Sequence, residues 1–394
     1  MVAAHIIVTF AQVLTNCLDM DNIFLSGSLA FFITFFAIPV IIKVAKDKKL
    51  FDEPDLRKVH KIVIPNLGGL GIFAGFMIAT LLCYPQTVNN DLQYDIAAFL
   101  VIFFLGLKDD ILILSPTKKF LGQIFAAFIL IQLGGIRLAN FDGFLGINEI
   151  SAFTGSVISL FIIIVVTNSF NLIDGVDGLA GSIGVLTSAC FGSYFFMAGE
   201  QSLAVIAFAL CFSLIGFLLF NFPPAKIFMG DTGSLLVGII NAILFIKFIN
   251  VSTSTNSAVS IASSSAIGFA ILIIPVFDTL RVFSLRIIKR RSPFSPDRNH
   301  IHHILLDLGL SHKQTTITCV ITNILFIGLA LLLKDLGATK LILILFILES
   351  GFTALVYYFR SKRKAASFEV VPKKKINGTS HKIFRLASEV VELD

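Results

Sequence analysis

The sequence predicts an all-α, polytopic integral membrane protein, and three observations predict it. The 394 residues are 56% hydrophobic and only 14% charged, with a mean hydropathy of +0.90. A soluble domain of this length has no interior large enough for that much apolar surface. Apolar stretches of about 15–22 residues recur along the chain, each long enough to cross or nearly cross a bilayer. Lys and Arg concentrate in every second connection, the asymmetry that sets membrane topology. No cleavable leader is expected, since the N-terminus lacks a basic region and a small-residue cleavage site.

In chain order the apolar stretches fall near 23–43, 67–84, 95–107, 120–136, 153–170, 181–198, 203–221, 233–250, 262–282, 316–333 and 341–359. This reading gives about eleven transmembrane helices. Residues 5–18 form a weaker apolar stretch suited to the interface. Basic clusters follow the first stretch (Lys43, Lys46, Lys48, Lys49, Arg57, Lys58, Lys61), the third (Lys108, Lys118, Lys119) and the ninth (Arg286, Lys289, Arg290, Arg291, Arg298). The alternate connections, around 85–94, 199–202 and 251–260, carry almost none. The N-terminus is therefore expected outside and the C-terminus in the cytosol. Residues 1–359 read as one membrane domain with cytosolic loops at about 44–66, 108–119, 168–180, 222–232 and 286–315. A basic cytosolic tail follows at 360–394, whose end, His381 to Leu393, suits a surface amphipathic helix or a disordered tail. The five cysteines have neither metal-ligand nor redox spacing, so neither zinc nor disulfides are expected.

All the unusual polar clusters fall on odd-to-even connections, hence on one side of the membrane. One composite site on the cytosolic face is the simplest reason. The central cluster, Asn168-Ser169-Phe170-Asn171-Leu172-Ile173-Asp174-Gly175-Val176-Asp177-Gly178-Leu179-Ala180, places two acids and two amides at a membrane edge. Polar groups there are costly and usually functional, although Asn, Asp and Gly also build ordinary turns. Asp109-Asp110 closes the third stretch; adjacent carboxylates raise one another's pKa, hold a cation or cap a helix. Lys118 and Lys119 lie close by, placed to pair with the acids or to grip a phosphate.

Phe228-Met229-Gly230-Asp231-Thr232-Gly233-Ser234 opens the eighth stretch. A helix N-terminus offers free N–H groups to phosphate, and an adjacent Asp can hold the Mg²⁺ that accompanies it; a plain cap is the other reading. Ser295-Pro296-Asp297-Arg298-Asn299-His300-Ile301-His302-His303 brings an arginine and three histidines together. Without Cys or carboxylate partners at zinc spacing, this suits a diphosphate and sugar better than a metal. Asp278 and Arg281, one helical turn apart, read as an intrahelical ion pair. Glu349 is an intramembrane acid to which a packing role is assigned.

Together these clusters resemble the polyprenyl-phosphate N-acetylhexosamine-1-phosphate transferase superfamily (glycosyltransferase family 4), from about residue 40 to about 315. Four elements match in order: Pro65-x-x-Gly68-Gly69, Gly106-x-x-Asp109-Asp110, Asn168 to Leu179, and Phe228 to Ser234. The fifth, Asp297-Arg298-x-His300-Ile301-His302-His303, resembles the branch that takes UDP-N-acetylglucosamine or a close relative. The peptidoglycan branch, which uses UDP-N-acetylmuramoyl-pentapeptide, usually has an unbroken histidine run. One departure is Ile113, where the family often has a third acid.

The resemblance implies attack of undecaprenyl phosphate on the β-phosphorus of a UDP-N-acetylhexosamine, releasing UMP and starting a lipid-linked envelope glycan. It implies Mg²⁺, with Mn²⁺ as a substitute, held by Asn171 and Asp231. Asp109 or Asp110 would orient or deprotonate the lipid phosphate, or in one variant form a covalent intermediate, and Lys119 would steady a phosphate. Asp174 and Asp177 would shape the nucleotide site; Arg298, His300, His302 and His303 would meet the diphosphate and sugar. The setting it implies is the bacterial inner membrane, with the site on the cytosolic face, no nucleic acid partner, and a homodimer as one oligomeric option. An ion-coupled transporter is the rival from another class, and it calls for midplane acids in repeated halves; the sequence shows neither.

Overall fold

In the computed structural model of the chain, the described residues are 2–48, 64–85, 92–112, 114–255, 257–290 and 299–369, with the pairs 385–386 and 389–390; side chains are described from Asp21 to Arg363. Within them the helices run α1 (Val2–Asp47), α2 (Gly68–Cys83), α3 (Leu92–Leu112), α4 (Pro116–Phe128), α5 (Ala152–Ile173), α6 (Leu179–Ala198) and α7 (Gln201–Asn221). They continue with α8 (Gly230–Ser252), α9 (Ser264–Ile271), α10 (Ile273–Ile288), α11 (Ile301–Asp307), α12 (His312–Leu332) and α13 (Ala338–Glu369). The expected all-α architecture is what forms, and each of the eleven apolar stretches overlaps a helix or the α9–α10 pair, although 120–136 runs past the end of α4.

Among the described residues, seven helices are long and apolar enough to cross a membrane, eight with α9–α10 taken as one bent span. α2 is apolar but only 16 residues long. The weak stretch at 5–18 is not a separate element but the first part of α1. In the tail, Arg385–Leu386 pairs antiparallel with Glu389–Val390. That corrects the amphipathic-helix alternative at those residues, because a strand pair, not a helix, satisfies their backbone groups.

α8 is the axis of the bundle. Of the span of α8 most suited to the membrane, 78% is buried, against 28% for α1 and for α13, and α2, α3, α5, α6, α7 and α9 all pack on it. Small residues set how closely they approach. A Cβ on Gly69 of α2 would lie 2.2 Å from the Gly233 nitrogen, and one on Gly106 of α3 would lie 2.6 Å from the Thr232 Cα. Gly238 of α8 meets the Thr167 backbone of α5 in the same way. These contacts draw the ends of α2 and α3 against the first turn of α8. Backbone hydrogen bonds complete the junction, from Gly68 N–H to Phe228 O and from Gly69 N–H to Met229 O, each 2.9 Å.

The ninth stretch is not the single helix expected. It bends by 83° between α9 and α10. Pro275 lacks the N–H that would bond the Ile271 carbonyl, which frees that carbonyl at the bend. Asn323 of α12 supplies the missing donor, its Nδ2 lying 3.1 Å from Ile271 O and 3.3 Å from Ala270 O. An apolar medium demands such compensation for broken helical backbone. The bend directs α10 toward the same end of the bundle as the start of α8.

Candidate active site

The cluster is built where α3 ends, α4 begins, α5 ends and α8 begins. Gly230 starts α8 at φ +72°, a conformation that only glycine adopts easily. Its Cα faces Asn66 O and the Asp110 carboxylate, which leave no room for a Cβ. Asp110 accepts the N–H of Asp231 at 2.7 Å, the N–H of Thr232 at 2.9 Å and the Thr232 hydroxyl at 2.5 Å. It therefore caps α8 from another helix, satisfying donors that no α8 side chain reaches. Its neighbour Asp109 accepts the Leu114 N–H, beyond the end of α3, at 2.5 Å.

Lys119 Nζ lies 2.5 Å from Asp109 Oδ2 and 2.5 Å from Asp231 Oδ2. Asn171 of α5 donates from Nδ2 to Asp231 Oδ1 at 2.9 Å and to Ser234 Oγ at 3.0 Å. The end of α3, α4 and α5 thus converge on Asp231 of α8. Burial opposes the charge on Lys119, but Asp231 and Asp109 outweigh it and hold its pKa above the ordinary value. Burial likewise works against the Asp109 carboxylate, yet hydrogen bonds shared with Asp231, Lys119 and Leu114 keep it below the usual range. Asp110 is pushed up to about 6, chiefly by burial, against the hydrogen bonds from Thr232 and Asp231. Asp174, after α5, is raised well above the carboxylate range by burial and then by Asp231 and Asp110.

Above this cluster opens a cavity of about 370 Å³ lined by Lys119, Asn171, Asp174, His300, His302 and His303, with Phe120 and Leu172 on its apolar side. His302 is 1% exposed, and its Nε2 abuts Gly175, where a Cβ would lie 2.7 Å away. Burial, and then the neighbouring His303, lower its pKa to about 3, so it is neutral at ordinary pH.

Among the residues expected at a site, Asp109, Asp110, Lys119, Asn171, Asp174, Asp231, His300, His302 and His303 are brought together. Asp177 is placed elsewhere. It does not line the cavity; its carboxylate faces His312 Nδ1 at 3.1 Å and the Ala225 N–H at 3.2 Å. Arg298 lies outside the described residues.

Three further residues belong here that sequence reasoning passed over. Arg286 of α10, read only as a topological charge, is 3% exposed and lines the cavity. Gln123 of α4 lines it too, and its Oε1 accepts from Asn168 Nδ2 at 2.6 Å. Asp278, read as half of an intrahelical pair, also meets His300 Nδ1 at 2.8 Å. The signal for the last was present: a carboxylate in an apolar helix demands more partners than one arginine supplies.

The arrangement suits chemistry on phosphates. It offers a cationic amine between carboxylates, an oxygen-rich first turn of a helix, and a cavity walled by an arginine and histidines.

Comparison with known proteins bears on which phosphates. The family described as glycosyl transferase family 4 matches residues 92–249. A Bacillus subtilis (strain 168) protein named "Probable undecaprenyl-phosphate N-acetylglucosaminyl 1-phosphate transferase" is 32% identical over 311 residues, covering 79% of this chain and 84% of its own. The Yersinia pestis protein named undecaprenyl-phosphate alpha-N-acetylglucosaminyl 1-phosphate transferase is 32% identical, covering 77% and 80% respectively. A Mycobacterium leprae relative, named decaprenyl-phosphate N-acetylglucosaminephosphotransferase, is 31% identical over 74% of this chain and 79% of its own.

Proposed function

We infer the function from one premise, that this chain belongs to glycosyl transferase family 4, among the polyprenyl-phosphate N-acetylhexosamine-1-phosphate transferases. It is a multi-pass bacterial membrane protein and an enzyme that transfers N-acetylglucosamine 1-phosphate to undecaprenyl phosphate. Relatives over most of the chain favour this reading over a pentapeptide transferase or an ion-coupled transporter. In our reading the donor is a UDP-sugar and UMP leaves. We place the protein in the inner membrane with the cavity facing the cytosol, where UDP-sugars are made.

The observation that carries the reading is Lys119 held between Asp109 and Asp231 at the floor of a cavity walled by histidines. An oxygen of the lipid phosphate attacks the β-phosphorus, forming the new P–O–P bond. The bond from β-phosphorus to the bridging oxygen breaks, and its electron pair leaves with UMP. Such a transfer needs alignment and charge neutralisation more than covalent machinery. Lys119 neutralises a phosphate at the floor. Asp109, ion-paired with Lys119, orients the lipid phosphate; Asp110, engaged by three donors, holds α8 in place. Asp174 borders the nucleotide, and Arg286 with the histidine loop meets the diphosphate and sugar.

The donor set fits a hard divalent cation. Among the described residues no three His, Cys, Asp or Glu side chains form a metal cage; Asp231 and the amide oxygen of Asn171 would hold the ion, with water and substrate phosphates completing its oxygen donors. Mg²⁺ prefers that manner of binding, and Mn²⁺ accepts the same oxygens. When bound, it supplies charge neutralisation of the diphosphate.

The test is UMP release by purified protein in detergent with undecaprenyl phosphate, UDP-N-acetylglucosamine and Mg²⁺. UMP is expected only when all three are present, with UDP-N-acetylmuramoyl-pentapeptide neither replacing nor displacing the donor. Folded protein that releases no UMP from any UDP-sugar would overturn the reading.

A further inference from the structure

Asp278, on α10, sits beneath the histidine loop and is 5% exposed. Its Oδ1 accepts the Ile301 N–H at 3.0 Å and Arg281 Nη2 at 2.6 Å, while Oδ2 faces His300 Nδ1 at 2.8 Å. Arg281 Nη2 also donates to the Asn299 carbonyl at 2.6 Å. From α13, the Tyr357 hydroxyl accepts Arg281 Nη1 and donates to the same Asn299 carbonyl, each at 3.2 Å. The Arg281 guanidinium lies 5.5 Å from the Tyr357 ring centroid, a cation–π arrangement. A second tie from α13 joins Arg360 to Asp307 at the other end of α11.

A carboxylate that receives an N–H and a guanidinium is ionised, and an ionised carboxylate can only accept. The proton between Asp278 and His300 therefore rests on Nδ1. His300 Nε2 is buried, has no partner among the described residues, and belongs to a side chain that lines the cavity. The partner of one ring nitrogen decides what the other offers.

We propose that Asp278, Arg281 and Tyr357 are positioning residues that lock His300 with its Nδ1 proton on Asp278, so that its buried, unpartnered Nε2 is the atom this cavity-lining ring keeps for the sugar nucleotide. The function of the lock rests on the transferase reading above; its geometry does not. Asp278 fixes the tautomer, Arg281 holds Asp278 and the backbone before His300, and Tyr357 ties both to α13. The helix after the last cytosolic loop thus acts as a strap on one wall of the site.

The test uses full-length protein in detergent, ¹⁵N-labelled at histidine, with the His300 signals assigned by their loss in H300Q. In the wild type Nδ1 is expected to carry the proton. In D278N the amide can donate to the ring, so the proton is expected to move to Nε2. That variant should raise the KM for UDP-N-acetylglucosamine about tenfold, as loss of an orienting partner does at comparable sites, with the KM for lipid phosphate unchanged. Y357F, which deletes one hydroxyl, is expected to raise the same KM about threefold, the scale of one hydrogen bond. It also tests the strap should D278N fail to fold. An unmoved His300 proton in folded D278N, or wild-type constants in Y357F, would overturn the proposal. Protons that shift as expected in a protein releasing no UMP from any UDP-sugar would leave the lock standing and remove the transferase reading instead.

Discussion

The Asp110 carboxylate on α3 accepts the backbone N–H of Asp231 on α8 at 2.7 Å, so one acid of the site holds another in place through the main chain. The residue that looks most like a catalytic base is a helix cap, and the residue it caps carries the carboxylate that Lys119 and Asn171 share. Asp110→Ala is accordingly expected to act in two ways. Losing the cap should cost about 1–2 kcal/mol of stability, read as a lower unfolding temperature. Misplacement of Asp231 should lower turnover about 100-fold or more, as displacements near 1 Å do. UDP-sugar affinity, measured by calorimetry, should stay near the wild-type value, because the cavity wall is untouched.

Gly230 makes the same junction sensitive to a single methyl group. With φ at +72° and an alanine Cβ placed 2.2 Å from Asn66 O, Gly230→Ala cannot keep the present path of the chain. The expected result is loss of UMP release together with a lower unfolding temperature. Wild-type stability in this variant would contradict the close approach described here.

His302 gives the structure a pH dependence whose sign can be worked out. Its folded pKa is about 3, below the 6.5 of an exposed histidine, chiefly because of burial. Between those values the unfolded chain binds more protons, so stability falls as pH falls below 6.5. The loss from this group should approach about 2 kcal/mol near pH 5. His302→Asn removes that titration, and its stability is expected to decline less than the wild type's over the same interval. Parallel curves for the two proteins would show that His302 is not buried as a neutral group.

Glu349 lies on α13, 2% exposed, and its Oε2 has no partner among the described residues. It lines no part of the cavity beside Lys119. Glu349→Gln keeps the shape and removes no hydrogen bond, so turnover within about threefold of wild type is expected. A much larger loss in UMP release would assign Glu349 a chemical role.

Much of the fold was legible because its cause is local. Apolar runs such as Val157–Val166 and Leu235–Ile240 mark their helices, since only intrachain bonding satisfies a backbone in lipid. The site was legible as clusters for the same reason: Asp109-Asp110, Asn171 to Asp177, Asp231 and the histidines interrupt apolar sequence where interruption is costly. Which partner each residue takes was not. Asp110 meets Thr232 across 122 positions and Lys119 meets Asp231 across 112, and no periodicity encodes such pairings. The bend before Pro275 was marked by the proline, but compensation of the Ile271 carbonyl by Asn323, 52 positions on from it, is a tertiary fact. Asp177 shares the Asp-x-x-Asp spacing with Asp174, yet the turn after α5 sends it to His312 and away from the cavity.

The central proposal is that Asp231, at the start of α8, would hold the metal that neutralises the diphosphate during transfer. Asp231→Asn keeps the size of the side chain and the bond from the Asp231 main chain to Asp110, so the protein should fold. The decisive measurement is the rate of UMP release by this purified variant across a Mg²⁺ titration. A fall of about 100- to 1,000-fold is expected, the scale of losing one charge-stabilising group, together with a weaker apparent Mg²⁺ affinity. Wild-type turnover with an unchanged Mg²⁺ dependence would contradict the account at its centre.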